Sequence, residues 1–260
     1  MEKEYRIESV AKALKIVEIL AKDAGEMALG EIAEKMRMPK STTHGLISTL
    51  CDFGYIDQSP ITGKYKLGFK LFELGNIVAQ RLEIKNIAAP YIQKLVEEME
   101  ETVHLTILDK GEVLHIDKRE SQQSIRIASR VGARLPAHCT GVGKVLLAFL
   151  PAEERKKIIA EKGLKRFTRN TITDPEVLEA ELAKIREQGY AFDNEEFMEG
   201  LKCIAAPIRD YTGKVCAAIS ISGPTSRLRG EKLKKAVELV VATASAISME
   251  MGYRPMGDAH

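Results

Sequence analysis

The residues of this chain best suited to chemistry lie in the middle and at the C-terminal end. Gly141, Val142, Gly143 and Lys144 follow Thr140. A glycine-rich run at the start of a helix invites a phosphate-loop reading. Position 138 holds histidine instead of glycine, however, and Val145 stands where such a loop needs Ser or Thr. With Thr140 as N-cap, the amides of residues 141–143 instead predict an anion site at a helix N-terminus, suited to a small carboxylate. His138 and Cys139 are adjacent, and neighbours in an extended segment point to opposite sides, so they make a poor nucleophile–base pair and lack a third orienting group. No catalytic residue is assigned, and the chain is not expected to be an enzyme. His138, Cys139, Asp193 and Cys203 have the ligand chemistry of a zinc site but no close spacing. No metal and no cofactor is therefore expected, while a metal- or thiol-redox-sensing role for Cys139 and Cys203 stands as the alternative. Ser220 and Ser222 are two apart in a strand-like run and share a face, offering two hydroxyls to polar oxygens.

A second set of polar residues lies near the N-terminus. Lys40, Ser41, Thr42, Thr43 and His44 open a short apolar-periodic stretch. At the start of a recognition helix, such hydroxyls and an imidazole can read base edges or hold phosphates. Residues 1–68 contain ten basic and ten acidic groups, which sum to zero. Within 35–66, five bases (Lys35, Arg37, Lys40, Lys64, Lys66) face only Asp52 and Asp57, leaving +3. A phosphate-binding surface needs this local charge, whatever the overall balance.

The elements that must position these groups follow from periodicity. Val10, Ala13, Leu14, Val17 and Leu20 predict one apolar stripe on a helix from Ser9, as N-cap, to Lys22. After a break at residues 23–25, a second helix spans Leu29 to Met36. A third begins beside Pro39, buries Leu46, Ile47, Leu50 and Phe53, and stops at Gly54. Two short helices joined by a tight turn describe a helix-turn-helix. Residues 55–57 and 64–67 flank a turn at 59–63 and read as a β-hairpin wing, its Lys64 and Lys66 available to the DNA backbone. Leu71, Leu74, Ile77, Val78 and Leu82 suit an amphipathic helix over 69–86.

Residues 87–260 alternate helices and strands. A helix over 87–101 precedes strands at 103–108 and 113–118, joined by a turn at 109–111. Another strand is expected at 124–129, then helices at 140–150 and 152–162. A capped helix runs from Thr173–Glu176 to Gly189, strands follow at 190–193, 203–208 and 215–222, and a helix spans 231–251. Hairpins mixed with helices predict an α+β domain on a largely antiparallel sheet.

The whole chain is long enough for two domains. Its apolar runs fall far short of the ~18 residues of a membrane span, and its charged start, Met1 to Tyr5, lacks the apolar core of a signal peptide. A cytoplasmic protein is expected. The four cysteines are scattered with no Cys-x-x-Cys pair, so free thiols are expected.

Residues 29–44, LGEIAEKMRMPKSTTH, resemble the helix-turn-helix of IclR-type transcription regulators; SVAKALKI at 9–16 is similar to the start of their first helix, and YKLG at 65–68 to the end of their wing. GARLPAHCTGVGK at 132–144, DNEE at 193–196, GLKC at 200–203 and ISISG at 219–223 resemble their effector domain, in the same order. Gly45 departs from the arginine many relatives carry there. The resemblance implies a winged helix-turn-helix (1–68), a linker helix (69–86) that helps pair two DNA-binding domains, and a GAF-like effector domain (87–260). It also implies operator DNA and a small organic effector as partners, and a homo-oligomer, dimer or tetramer. DNA contacts are expected from Arg6, Lys40, Ser41, Thr42, Thr43, His44, Lys64 and Lys66. Carried over by motif position, the effector pocket falls on Leu135, Gly141, Val142, Asp193, Leu201, Cys203, Ser220 and Ser222. Asp193 can accept from a ligand hydroxyl there, and the leucines and valine form an apolar wall.

Overall fold

The computed structural model describes residues 7–22, 25–80, 83–120, 123 and 129–254, and the chain divides into two compact units, residues 1–81 and 82–260. Arg6 and positions 124–128 of the expected strand lie outside the described residues.

In the first unit, helices α1 (Glu8–Lys22), α2 (Leu29–Met36) and α3 (Lys40–Asp52) precede strands β1 (Ile56–Gln58) and β2 (Tyr65–Leu67) and helix α4 (Lys70–Gln80). Ile16, Leu20, Met27, Ile32, Met36, Ile47, Ile56 and Tyr65 form its core. The α2–α3 turn is tight because Arg37 takes the left-handed conformation and the Arg37 and Met38 amides return to the carbonyls of Glu34 and Ala33. β1 and β2 pair antiparallel as the wing. The glycine that ends the wing has a steric reason: a Cβ on Gly68 would sit closer than 3.0 Å to the Gly54 carbonyl.

The expected core faces shift in two places. Ser9 lies inside α1 and does not cap it, and the buried side of that helix is carried by Ile16 and Leu20, leaving Val10 (53%) and Leu14 (59%) exposed beside Ile7 (68%). Phe53 is also exposed, because α3 ends at Asp52 and Gly54 turns the chain with φ of +74°.

In the second unit, α5 (Glu83–Met99) is followed by the hairpin β3 (Thr102–Asp109) and β4 (Glu112–Arg119), then β5 (Arg134–Pro136). Helices α6 (Gly141–Ala148), α7 (Ala152–Lys162) and α8 (Pro175–Gln188) come next. Strands β6 (Ala191–Asn194), β7 (Leu201–Arg209) and β8 (Val215–Pro224) and helix α9 (Gly230–Glu250) complete it. Residues 83–86 belong to α5, not to the connecting helix, and Ile84 is buried in the core of this unit.

The sheet order is β5-β4-β3-β8-β7-β6, with every neighbouring pair antiparallel. Alternation along the strands sorts residues onto two faces. Val103, Leu105, Ile204, Ile208, Ile219 and Ile221 pack under α5 and α9. Val113, Ala205 and Ala218 meet α6 and α8 on the other face. Small residues there let α6 lie close: a Cβ on Gly141 would already stand 3.4 Å from the Ala205 methyl. A bulge at Ile116 breaks the β3–β4 register, so that Leu105 pairs with Asp117 but Thr106 with His115.

Candidate functional site

The first unit presents one polar face. Lys40, Ser41, Thr42 and His44 are exposed along the first turns of α3, and Lys64 and Lys66 are exposed on the wing. Thr43 is the exception among the expected contacts. It is fully buried, and its hydroxyl donates to the Pro39 carbonyl at 3.1 Å, so it seats the helix start and is withdrawn from the DNA face. Arg37 and Ser48 are exposed as well; Arg37 counts in the local charge, and Ser48 follows His44 by one turn, a periodicity that could have flagged it.

In the second unit, the part of the α6-side sheet face that α6 and α8 leave uncovered bounds a cavity of about 440 Å³. All eight residues of the expected pocket line it: Leu135 on β5, Gly141 and Val142 at the start of α6, Asp193 on β6, Leu201 and Cys203 on β7, and Ser220 and Ser222 on β8. They converge because β6, β7 and β8 are consecutive neighbours: Asp193 pairs with Cys203, and Cys203 with Ser222. Thr140 caps α6 as expected, but its hydroxyl accepts from the Gly143 amide at 3.3 Å. The anion-facing amides therefore narrow from three to those of Gly141 and Val142.

Asp193 is almost fully buried; its Oδ1 accepts from the Glu196 amide at 2.7 Å, while Oδ2 has no partner among the described residues. Burial, with Glu196 nearby, pushes its carboxyl up to about 7. Just behind it, Lys144 is 1% exposed and paired with Glu196 at 2.5 Å and Glu181 at 3.3 Å. Lys144 is thus engaged by carboxylates. Thr168 and Thr171 donate to the carbonyls of Glu195 and Glu196 at 2.6 Å, fixing the loop that carries Phe197 and Met198 into the cavity wall.

Sequence reasoning missed the far end of the cavity, where His104 on β3 and His115 on β4 meet edge to face with ring centroids 4.7 Å apart. His104 lies between the hydroxyls of Ser129 (2.7 Å) and Ser222 (3.3 Å). Burial holds His104 well below the usual imidazole range and lowers His115 to about 4.

His138 contacts the Lys165 carbonyl at 3.0 Å and is not poised against a nucleophile. Cys139 is buried, its thiol pushed up to about 12, and burial raises Cys203 too. Reactive sensor thiols need the opposite shift, so redox sensing by this pair finds no support. Among the described residues no cluster of three or more His, Cys, Asp or Glu is arranged to hold a metal, and no helix is long and apolar enough to cross a membrane.

A recognition-type helix with a wing in one unit and a cavity with polar groups on its sheet floor in the other are matched by two family models. Residues 9–60 match the IclR helix-turn-helix domain, and residues 76–249 match the C-terminal domain of bacterial IclR transcriptional regulators. The chain belongs to the IclR family. It is 38% identical to the Escherichia coli HTH-type transcriptional regulator XynR over 95% of this chain and 98% of that protein. The crystal structure of the Thermotoga maritima IclR superposes with a TM-score of 0.81 at 37% identity, covering 95% of this chain and all of that one. An IclR homologue from Microbacterium hydrocarbonoxydans, solved with 4-hydroxybenzoate, superposes with a TM-score of 0.82 at 27% identity, over 94% of this chain and 98% of that one. As an IclR-family protein the chain is a DNA-binding transcription regulator with an effector-binding domain, not an enzyme. The winged helix-turn-helix and the antiparallel α+β effector domain are borne out with it.

Proposed function

We propose that this IclR-family regulator binds operator DNA as a homo-oligomer through α3 and the wing, and that a small carboxylate in the effector-domain cavity sets its operator affinity. The observation that carries the effector half is the cavity itself: Ser220 and Ser222, Gly141 and Val142 at the start of α6, and Asp193, whose Oδ2 has no partner among the described residues, all line it. Its volume lies in the ordinary range for small-ligand sites. The acid carboxylate of 4-hydroxybenzoate in the Microbacterium relative is consistent chemistry. Each neutral hydrogen bond contributes about 1 kcal/mol. Ser220→Ala combined with Ser222→Ala is therefore expected to abolish ligand-dependent thermal stabilisation in a screen of keto, sugar and aromatic acids while leaving operator affinity intact. An unchanged ligand response would remove the serines from the site.

For the DNA half, Lys40, Ser41, Thr42, His44, Lys64 and Lys66 are the proposed contacts, with Arg37 added for phosphate. The exposed polar start of α3 supports this reading. A base contact contributes about 1–3 kcal/mol of discrimination, whereas a phosphate contact weakens all sequences alike. Thr42→Ala and His44→Ala should thus weaken operator binding about tenfold or more with little change on random DNA. Equal losses on both would move these residues from base readout to the backbone.

A single winged unit covers little DNA, which favours a two-fold assembly over paired half-sites. Two exposed apolar runs support it: Ile7, Val10 and Leu14 along α1, and Phe69, Phe72 and Ile77 at and along α4. Binding chromosomal DNA places the protein in the cytoplasm.

A further inference from the structure

We propose that Ile61, at the apex of the wing turn, packs into the minor groove of the operator and selects A·T pairs there, a specificity contact separate from those of α3. This rests on the reading of α3 and the wing as the DNA-binding face and assigns a role to a residue outside every polar contact of that face.

The turn that carries Ile61 is held from both sides. The Ser59 amide donates to the Lys64 carbonyl at 2.8 Å, and the Gly63 amide to the Ser59 carbonyl at 2.9 Å. Within the turn, the Thr62 amide donates to the Ser59 hydroxyl at 3.3 Å, and the Gln58 side-chain amide to the Gly63 carbonyl at 2.8 Å. Gly63 closes the turn with φ of +68°, and Pro60 restricts the backbone just before Ile61. The wing is also tied to the helices. Met27 and Tyr65 exchange both backbone hydrogen bonds, at 2.9 and 2.8 Å, and the Thr62 hydroxyl donates to Glu26 ahead of α2. The apex therefore keeps one position relative to α2 and, through the tight turn at Arg37, to α3.

On this fixed turn the Ile61 side chain is 92% exposed, the highest value for a large apolar side chain among the described residues. A single exposed apolar side chain is commonplace on a protein surface. Two features set this one apart. It contributes nothing to the core, which the wing enters through Ile56 and Tyr65. It also stands at the tip of the element whose Lys64 and Lys66 are exposed for backbone phosphates.

Chemistry sets what such a side chain can read. Isoleucine has no donor or acceptor, so the hydrogen-bond code of the base edges is closed to it. It can only fill space or be kept out of it. With α3 in the major groove, a wing beside it meets the neighbouring backbone and minor groove. In that groove a G·C pair raises the amino group of guanine from the floor, whereas A·T and T·A leave the floor open. Apolar side chains, isoleucine among them, enter minor grooves at such steps. The β-branched stem of Ile61 restricts its rotamers beforehand, so little freedom is lost on contact.

The test is selection from a randomised duplex library by the full-length protein and by Ile61→Ser, followed by anisotropy titrations of the selected duplex. The unmutated protein is expected to enrich A·T pairs at positions flanking those that α3 reads, and Ile61→Ser to lose the preference there and nowhere else. Exchanging one such pair for G·C should weaken the unmutated protein about tenfold and Ile61→Ser far less. Two modified pairs locate the contact. Inosine·C has the major-groove face of G·C without the minor-groove amino group and should bind like A·T; diaminopurine·T adds that group to A·T and should bind like G·C. Thermal melts of Ile61→Ser should match the unmutated protein, since the side chain is exposed. Inosine·C bound as weakly as G·C would place Ile61 against a thymine methyl in the major groove and overturn the minor-groove contact. Identical selected sequences and affinities for Ile61→Ser would overturn any role for the apex. Lys64→Gln with Lys66→Gln tests the underlying reading: the salt dependence of binding should fall by up to about two phosphate contacts. A reduced salt dependence with an indifferent Ile61→Ser removes the apex contact alone, whereas an unchanged one removes the wing from the DNA.

Discussion

Gly143→Ala is expected to destabilise the effector domain by at least about 3 kcal/mol, although alanine is the better helix former. Propensity alone favours the substitution by about 0.5–1 kcal/mol. Sterics reverse the sign. A Cβ at this position would come closer than 3.0 Å to both the carbonyl oxygen and the Cα of Ala137 and would crowd the Thr140 hydroxyl at 2.6 Å. The Ala137 atoms are backbone and cannot rotate away. Ala137 itself is buried, and α6 lies wholly in the core, so the helix cannot simply lift to make room. Overpacking of a fixed interior typically costs 1–3 kcal/mol, and a backbone clash stands at the upper end or beyond it. The same displacement would move Gly141 and Val142 away from the β8 serines. Thermal melts should show the loss. Gly45→Ala is the control, since that glycine is also helical but has nothing within 4 Å of where its methyl group would lie. An unshifted melting temperature for Gly143→Ala would mean that α6 does not pack this tightly against Ala137.

The contrast between Gly143 and Lys144 also marks what the sequence could tell. Caps, turns and periodicity locate nearly every element of both units, because Asp174, Gly189, the residue 109–111 turn and the strand alternation are local signals. The near end of the cavity is reached through motif resemblance, and its residues do share one cavity because β6, β7 and β8 are neighbours. His104 and His115 belong to no such motif. Their nearness to Ser222 needs the order β4-β3-β8, and nothing in a single sequence gives that order. The Ile116 bulge is less legible still, since it exchanges which of Asp117 and Lys118 shares a face with His104. Thr43 misleads for a local reason: a hydroxyl near a helix start reads alike whether it faces DNA or bonds back to Pro39. On α1, the apolar stripe is real but wider than the core beneath it, so Val10 and Leu14 read as interior residues although they face out.

Lys144→Ala is expected to cost about 3–5 kcal/mol, the usual penalty for removing one member of a buried ion pair. The ammonium is 1% exposed and sits between Glu196 at 2.5 Å and Glu181 at 3.3 Å, with Asp193 close enough to feel its charge. Without it, Glu196 is left buried with a like charge nearby. The pH dependence identifies this cause. Burial already raises Glu196 above its ordinary value and takes Asp193 to about 7. Lys144 opposes both shifts, so its loss raises both further. A carboxyl whose folded pKa exceeds the unfolded one contributes stability that is complete below the unfolded value, and that stability is lost as pH rises through the folded one. The variant should therefore lie nearest the parent protein at about pH 4 and fall increasingly below it toward pH 7 and above. A cavity left by the lost side chain would instead lower stability equally at every pH. Lys144→Met with Glu196→Leu separates the two causes again, because exchanging both charges for apolar groups of similar size is often neutral. That double variant should recover most of the loss and flatten the pH profile. If it is as unstable as Lys144→Ala, the lysine matters through its packing in α6, and the ion pair contributes little. The outcome also bears on the cavity, because Glu196 is held beside the loop carrying Phe197 and Met198. Restored stability without restored ligand binding would assign the Lys144–Glu196 pair to shaping that wall.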